Sequence, residues 1–450
     1  MLKFFLALRY LKKRKIVFLS IAAVTLSTAL LVTVASLFTA FIGAIELSSS
    51  EYLGDIVLEP PARFSNYDIL IEKLCSAEEI DSATPILSTN GLVHLGAGNV
   101  KAVTIWGIEP VSRCRVTNFK NNLLRQKNSL SVPEFNYGDE NPDSTGIPIF
   151  IGIAAILEPD PITDRYDFPL AEDFIGKKAV ITIGTTESEN NEPVNLARSR
   201  SAQAVISDIV FTSVYDIDKR FVFMPIDALA GLLFPSDKQN KAADIIHIKC
   251  AAGFNPSQSI EVVRKIWSDF ASEQLNWPAY HIADTEILTS VQKQAEYTAE
   301  LRKQMGVLLL IFGIISGGIV VLVFCIFYMI VKAKQKDLAI IKAIGGSSAD
   351  ITSIFLLFGL FIGLIGASAG VAVGFVVTSN VNAVEQFVGR LFGLKLWSSS
   401  IYMFTKIPNH FDWSWAIIFF IAAVAASVLG AVLPSIVAAM TSPVKILRYE

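Results

Sequence analysis

Gln304-Met305-Gly306-Val307-Leu308-Leu309-Leu310-Ile311-Phe312-Gly313-Ile314-Ile315-Ser316-Gly317-Gly318-Ile319-Val320-Val321-Leu322-Val323-Phe324-Cys325-Ile326-Phe327-Tyr328-Met329-Ile330-Val331 runs for 28 residues without an Asp, Glu, Lys or Arg. About 20 apolar residues suffice to cross a hydrocarbon core of about 30 Å. Ile16–Ile45, Ile351–Val384 and Trp413–Val444 are uncharged over 30, 34 and 32 residues. The first of these is too long for a cleaved signal, whose apolar region is about 7–15 residues. Four transmembrane helices are predicted. The 450 residues are 52% hydrophobic and 18% charged, with a mean hydropathy of +0.50, whereas soluble chains average about 25% charged. Disorder, a disulfide-dense scaffold and a polybasic nucleic-acid binder are excluded.

Charge sets the orientation. Residues 1–15, the connection 332–350 and the tail 442–450 together hold 12 basic and 3 acidic residues, leaving a net -12 elsewhere, nearly all of it in 46–303. The positive-inside rule places both termini and that connection in the cytoplasm. The expected order is a leading segment 1–15, spans at 16–45, 304–331, 351–384 and 413–441, and outer segments 46–303 and 385–412.

Within 46–303 the patterning is mixed α/β. Asp55–Leu58 reads as a strand, Asn66–Cys75 as a helix, and Gly91–Leu95 with Val100–Trp106 as a hairpin. Ile245–Lys249 reads as a second strand, with His247 facing solvent opposite Ile246 and Ile248. Ser257–Gln274 carries apolar residues at helical spacing, and Ala279–Ile282 reads as a closing strand. Residues 111–241 are richer in Pro, Asn, Asp and Ser. They read as a β-rich lobe inserted into a discontinuous α/β lobe. Thr285–Gln304 shows helical propensity with no Gly or Pro stop. It predicts a helix running unbroken into span two, either a force-bearing rod or a simple overhang.

The chemistry inventory is sparse. There is no GxxxxGK[ST] loop and no HExxH, so neither ATP binding by that loop nor a zinc-protease site is expected. No catalytic or metal-ligating residues and no bound cofactor are expected. Tyr215-Asp216-Ile217-Asp218-Lys219 reads as a turn between strands. The spans carry no charge, which argues against an ion pump. No CxxC pair exists among Cys75, Cys114, Cys250 and Cys325, and the first three read as unpaired, buried thiols.

Lys334-Gln335-Lys336-Asp337-Leu338-Ala339-Ile340-Ile341-Lys342-Ala343-Ile344-Gly345-Gly346-Ser347-Ser348-Ala349-Asp350 is the most telling segment. Leu338, Ile341 and Ile344 fall on one helical face, Gly345-Gly346 permits a positive-φ stop, and Ser347 with Asp350 forms a capping box for span three. A short amphipathic helix here is either a docking knob or an ordinary interfacial helix. In span three, Gly359, Gly363, Gly366, Gly370 and Gly374 let another backbone approach closely, and packing against span four is expected rather than a dimer seam.

This connection resembles the coupling-helix segment of MacB/FtsX-type ABC permeases. Leu6-Ala7-Leu8-Arg9-Tyr10-Leu11-Lys12-Lys13-Arg14-Lys15 resembles their N-terminal elbow helix. Ser442-Pro443-Val444-Lys445-Ile446-Leu447-Arg448-Tyr449-Glu450 resembles the close of lipoprotein-releasing permeases of the LolC/LolE type. Lys406-Ile407-Pro408 with Asp412-Trp413 resembles their last outer loop. The resemblance implies a Porter-like part (46–110 and 242–285), a Sabre-like part (111–241), a stalk helix (286–303) and a cytoplasmic coupling helix (332–350). It further implies a cytoplasmic ABC ATPase dimer that binds the ATP, a second permease subunit, and lipoprotein released from the bacterial inner membrane to a periplasmic chaperone. The implied mechanism is mechanotransmission, with peptide or amphiphilic-drug export and regulation of an extracytoplasmic hydrolase as alternatives. Coupling falls to Lys336, Asp337, Leu338, Ile341, Ile344 and Gly345. Acyl-chain contact falls to Phe38, Phe41, Ile42, Met305, Leu308, Leu309 and Phe312, which lipid-facing packing explains equally well. The loop Gly184–Gln203 corresponds to a chaperone-recruiting hook, with Pro193, Arg198, Arg200 and Gln203 as its candidates, or to a plain connecting loop.

Overall fold

A computed structural model of the chain describes residues 15–440 apart from 97, 137–145, 161–165, 186–197, 236–240, 334–339, 341, 346, 394–396, 398–403 and 405. The predicted elbow helix and C-terminal tail lie outside the described residues. The chain forms two units, one of Met1–Gly43, Thr298–Phe387 and Ile407–Glu450, the other of Ala44–Tyr297 and Val388–Lys406.

Among the described residues, four helices are long and apolar enough to cross a membrane, and most of each lies in the first unit: Lys15–Leu53, Ala295–Ala333, Ser348–Ser379 and Trp413–Met440. They are spans one to four. Glycine decides how they pack. A side chain at Gly359 or Gly363 would collide with Ala431, Ser427 and Val424 of span four, and one at Gly366, Gly370 or Gly374 with Val24, Thr28 and Val32 of span one. Span four was the expected neighbour, yet only the first two glycines of the stripe face it. All five glycines lie within about 80° of one helical face, so the partner changes with height along span three and not with rotation about its axis. Phe327 of span two meets Phe358 edge-on at 5.2 Å.

Span three was expected to reach Val384 but ends at Ser379. The Asn380 side-chain amide donates to the Val376 carbonyl at 2.9 Å, and a separate helix follows over Val381–Phe392. An uncharged run need not be one helix. Residues 381–384 therefore begin the segment read as the outer loop 385–412.

The second unit is a nine-stranded sheet with helices on it. Its strands are β1 (Ile56–Glu59), β3 (Ile80–His94), β4 (Val100–Ile108), β5 (Ile147–Gly152), β6 (Lys178–Thr185), β7 (Arg198–Val210), β8 (Phe221–Pro225), β10 (Ile245–Cys250) and β11 (Glu286–Thr289), while β2 (Phe64–Ser65) pairs separately with β9 (Ala242–Ala243). The order is β11-β1-β10-β3-β4-β8-β5-β7-β6, and a further β3–β6 pairing closes the strands from β3 to β6 into a ring. Gly91 makes the closure possible: a Cβ there would sit 2.7 Å from both Ile105 Cδ1 and the Thr182 carbonyl oxygen. Val93, Val103, Ile105, Ile149, Ile181 and Ile183 are buried. The two lobes therefore share β3 and β4, and a boundary at 110/111 runs through the ring rather than beside it.

Helix Pro256–Glu273 buries Ile260, Val263, Trp267 and Phe270, capped by the Asn255 side chain. Two expectations fail nearby. Ala279–Ala283 is a short helix, not a strand, because Pro278 starts a helical turn and Trp267 Nε1 donates to Thr285 Oγ1 at 2.9 Å behind it. The stalk predicted over 286–303 is interrupted: Glu286–Thr289 pairs with β1 as an edge strand. A capping box at Thr289–Gln292 then starts a four-residue helix, and the long helix begins at Ala295. Sheet pairing overrode local helical propensity.

Candidate functional site

The segment between spans two and three is held where it enters span three. Ser347 Oγ accepts from the Asp350 N–H at 3.1 Å while Asp350 Oδ2 accepts from Ser347 N–H at 3.1 Å, the reciprocal box predicted. Gly345 adopts φ +102°, the left-handed stop that glycine takes without strain. Lys342 Nζ and Ser348 Oγ donate to the Ala439 carbonyl at the end of span four, where a cation also suits the helix dipole. On this fixed base Ile344 is 81% exposed and Ile340 49%. The Ile344 N–H bonds to the Ile340 carbonyl, so the two stack on one helical face. Lys336, Asp337, Leu338 and Ile341 lie outside the described residues. Ile340, which the sequence reading does not single out, has the i,i+4 spacing to Ile344.

Spans one, two and four line an open apolar pocket of about 350 Å³. Leu31, Leu309, Gly313, Phe419 and Ala423 contribute to its lining, and Ser27 Oγ meets Ser316 Oγ at 2.6 Å beside it. Of the seven acyl-contact candidates only Leu309 lines this pocket. Ile42 and Met305 are buried; Phe38, Phe41, Leu308 and Phe312 are half-buried. The open apolar face of span two is instead Val307, Leu310, Ile314 and Val321.

The hook candidates sit on a long hairpin. Thr185 pairs with Arg198, Ile183 with Arg200 and Val180 with Gln203; Pro193 lies outside the described residues. Arg200 Nη1 donates to the Leu232 carbonyl at 3.0 Å, so that guanidinium braces the hairpin internally. Gln203 is exposed.

Two buried polar groups overturn expectations. Asp218 lies in the helix Tyr215–Arg220, not in a turn. Its carboxylate accepts from Thr212 N–H and Oγ1 at 2.7 Å, and burial outweighs these bonds and pushes its pKa up to about 7. His247 does not face solvent: it is 1% exposed, because the helix Pro110–Val116 covers that face of β10. Its Nδ1 lies 2.7 Å from Arg113 Nη1. Arg113 can only donate, so Nδ1 accepts and the ring proton sits on Nε2. Burial, then the Arg113 charge, holds His247 well below the usual histidine range. The cysteines are free, with Cys250 buried but Cys75 exposed and Cys114 half-buried.

Residues 309–443 match the FtsX-like permease C-terminal family. The whole chain aligns with the lipoprotein-releasing system transmembrane protein LolC of Neisseria meningitidis serogroup B, 25% identical over 467 residues, covering 100% of this chain and 99% of that one. Residues 309–443 thus carry the FtsX-like permease pattern, and the chain is similar to LolC along its whole length. A shorter match, 31% identical over 119 residues, covers 26% of this chain and 29% of the lipoprotein-releasing system transmembrane protein LolE of Haemophilus influenzae. Among solved structures, the periplasmic region of MacB from Actinobacillus actinomycetemcomitans overlaps 56% of this chain and 94% of its own, at 11% identity and a TM-score of 0.32. That distance is too great to bear on the fold. The FtsX-like stretch and the four helices long and apolar enough to cross a membrane among the described residues mark the chain as a membrane protein of permease type. The exposed Ile340 and Ile344 fall within the family-matching stretch.

Proposed function

We propose that this permease releases lipoproteins from the inner membrane to a periplasmic chaperone, driven by a separate cytoplasmic ATPase dimer. Both termini and the Ile340–Ile344 knob face the cytoplasm, and the large α/β unit faces the periplasm. A second permease subunit, a copy or a paralogue, completes the complex. ATP closure displaces the knob, and the spans pass that motion to the outer unit. The β6–β7 hairpin offers its tip to the chaperone through Pro193, Arg198 and Gln203, with Arg200 as its brace.

The observation that carries this reading is the whole-length match to LolC, outer unit included. The knob supports it: an isoleucine 81% exposed on a capped, glycine-stopped turn is a surface built to be covered.

The test is reconstitution with the co-expressed ATPase in proteoliposomes holding a triacylated lipoprotein, with soluble chaperone added. ATP-dependent transfer of the lipoprotein is expected. Ile344→Asp places a charge in the covered contact, costing at least about 2 kcal/mol, roughly thirtyfold in affinity. Undiminished ATPase co-purification with Ile344→Asp would sink the docking role. ATP hydrolysis that mobilises a peptide or small amphiphile, but no lipoprotein, would sink the substrate.

A further inference from the structure

The span-one helix leaves the first unit and ends at Leu53 inside the second. Gly54 follows at φ +78°, with room for no side chain: a Cβ would sit 2.9 Å from both the Ile248 carbonyl oxygen and Val116 Cγ1. Asp55 N–H then bonds to Ile248 O at 2.9 Å, and β1 begins at Ile56. Helix and sheet are thus joined covalently through one glycine. Such a joint transmits a pull along the axis, but a single flexible residue resists tilt and twist poorly.

A second attachment lies off that axis. Arg113 is fully buried. Its Nη2 donates to the Tyr52 carbonyl at 2.6 Å and its Nη1 to His247 Nδ1 at 2.7 Å. The guanidinium lies over the faces of Tyr52 and Trp106, 5.2 and 5.3 Å from the ring centres. Tyr52 in turn stacks on Trp106 of β4 at 5.4 Å. One residue earlier, the Glu51 carbonyl accepts from Asn118 N–H at 3.3 Å. The last carbonyls of a helix have no partner within it and carry its negative pole. Among the described residues no carboxylate hydrogen-bonds Arg113, so the carbonyl end of the span-one helix and two aromatic faces stabilise its charge.

We propose that Arg113 is a positioning residue, a clamp that fixes the end of span one to β10 and β4 so that tilting the helix turns the sheet. Moving the helix end away would leave a buried cation unpaired, so helix and sheet move together. Span two differs. Its helix begins only at Ala295, and ahead of that start Lys293 makes ion pairs with Glu59 and Glu286 on partly exposed side chains, which hold geometry weakly. Span one is therefore the lever. This deepens the proposed function and rests on its premise of ATP-driven motion, not on the identity of the cargo.

The test is hydrogen exchange on the full permease bound to its ATPase, nucleotide-free against vanadate-trapped, read in β10 and β3–β4. Wild type is expected to show a nucleotide-dependent difference there. Arg113→Met, and Arg113→Lys, whose single ammonium cannot replace a planar fork, should lose that difference while keeping ATP hydrolysis. His247→Asn keeps an acceptor and should retain it. If Arg113→Met does not accumulate, His247→Leu removes the acceptor alone and should also lose the difference. A wild-type difference in Arg113→Met or His247→Leu, identical behaviour of His247→Asn and His247→Leu, or no difference in wild type would each overturn the clamp. Lipoprotein transfer by wild type is measured separately, so failure of the cargo assignment leaves this readout standing.

Discussion

Gly370→Ala tests whether the glycine stripe of span three is set by span one. The added methyl would lie 2.6 Å from Thr28 Cβ, 3.1 Å from Thr28 Cγ2 and 2.8 Å from the Thr25 carbonyl oxygen. Carbon atoms pack best about 3.5–4.0 Å apart, so the helices must separate by about 1 Å at this level. Local rearrangement cannot absorb that, because Gly366 and Gly374 hold the same face against Val24 and Val32 one turn to either side. Thr25 Oγ1 also bonds to the Gly366 carbonyl at 3.2 Å. Overpacking of this kind costs about 1–3 kcal/mol. Gly317→Ala in span two is the control: nothing lies within 4 Å of its Cβ, so the change should stay within about 1 kcal/mol. The assay is thermal unfolding of the purified permease in one detergent. Thr28→Gly should partly rescue Gly370→Ala, as a coupled pair requires. A Gly370→Ala midpoint equal to that of Gly317→Ala would refute the packing argument.

Ser347→Ala removes the acceptor of the span-three cap and should cost about 1 kcal/mol, seen as faster amide exchange confined to residues 348–351. Asp218 has a folded pKa raised above its unfolded value, so it binds protons more tightly when folded. Its contribution is fully present below about pH 4 and is lost as pH rises through about 7. The unfolding free energy should therefore fall by up to about 1.4 kcal/mol per pH unit between those values. Asp218→Asn keeps an acceptor for Thr212 and should flatten that slope; an unchanged slope would mean another group sets it.

The membrane half was legible because lipid imposes one requirement, a long uncharged helix, that composition reports directly. Its cap was legible too, since Ser347 and Asp350 act on neighbours three residues apart. Where span three ends was not. The run stays uncharged to Val384, but Asn380 satisfies the Val376 carbonyl and closes the helix early. In the outer unit, strands whose apolar residues alternate were found, while pairing-dependent elements were missed. Glu286–Thr289 is a strand only because β1 lies beside it. The capping box at Thr289–Gln292, which dates the helix start correctly, was readable but outweighed by the smooth propensity around it. The glycine stop at Gly345 was legible, whereas the pocket lining was not, since it depends on which faces of three helices meet.

His247 shows the deeper limit. Alternation with Ile246 and Ile248 assigns it to the opposite face, which is right. The error lay in supposing that face to be wet. A strand has two faces, and only the path of the rest of the chain decides whether both are covered. Here the helix Pro110–Val116 lies over His247 and brings Arg113 with it. Nothing in Pro110-Val111-Ser112-Arg113-Cys114-Arg115-Val116 distinguishes Arg113 from the exposed Arg115 two positions on. The partner that holds the Arg113 charge, the Tyr52 carbonyl, is a main-chain group that every residue type carries. A contact specified by helix termination and not by side-chain identity leaves no mark in a single sequence. The one readable trace is Gly54, whose φ of +78° ends the helix and thereby decides which carbonyls are left for a cation to bind.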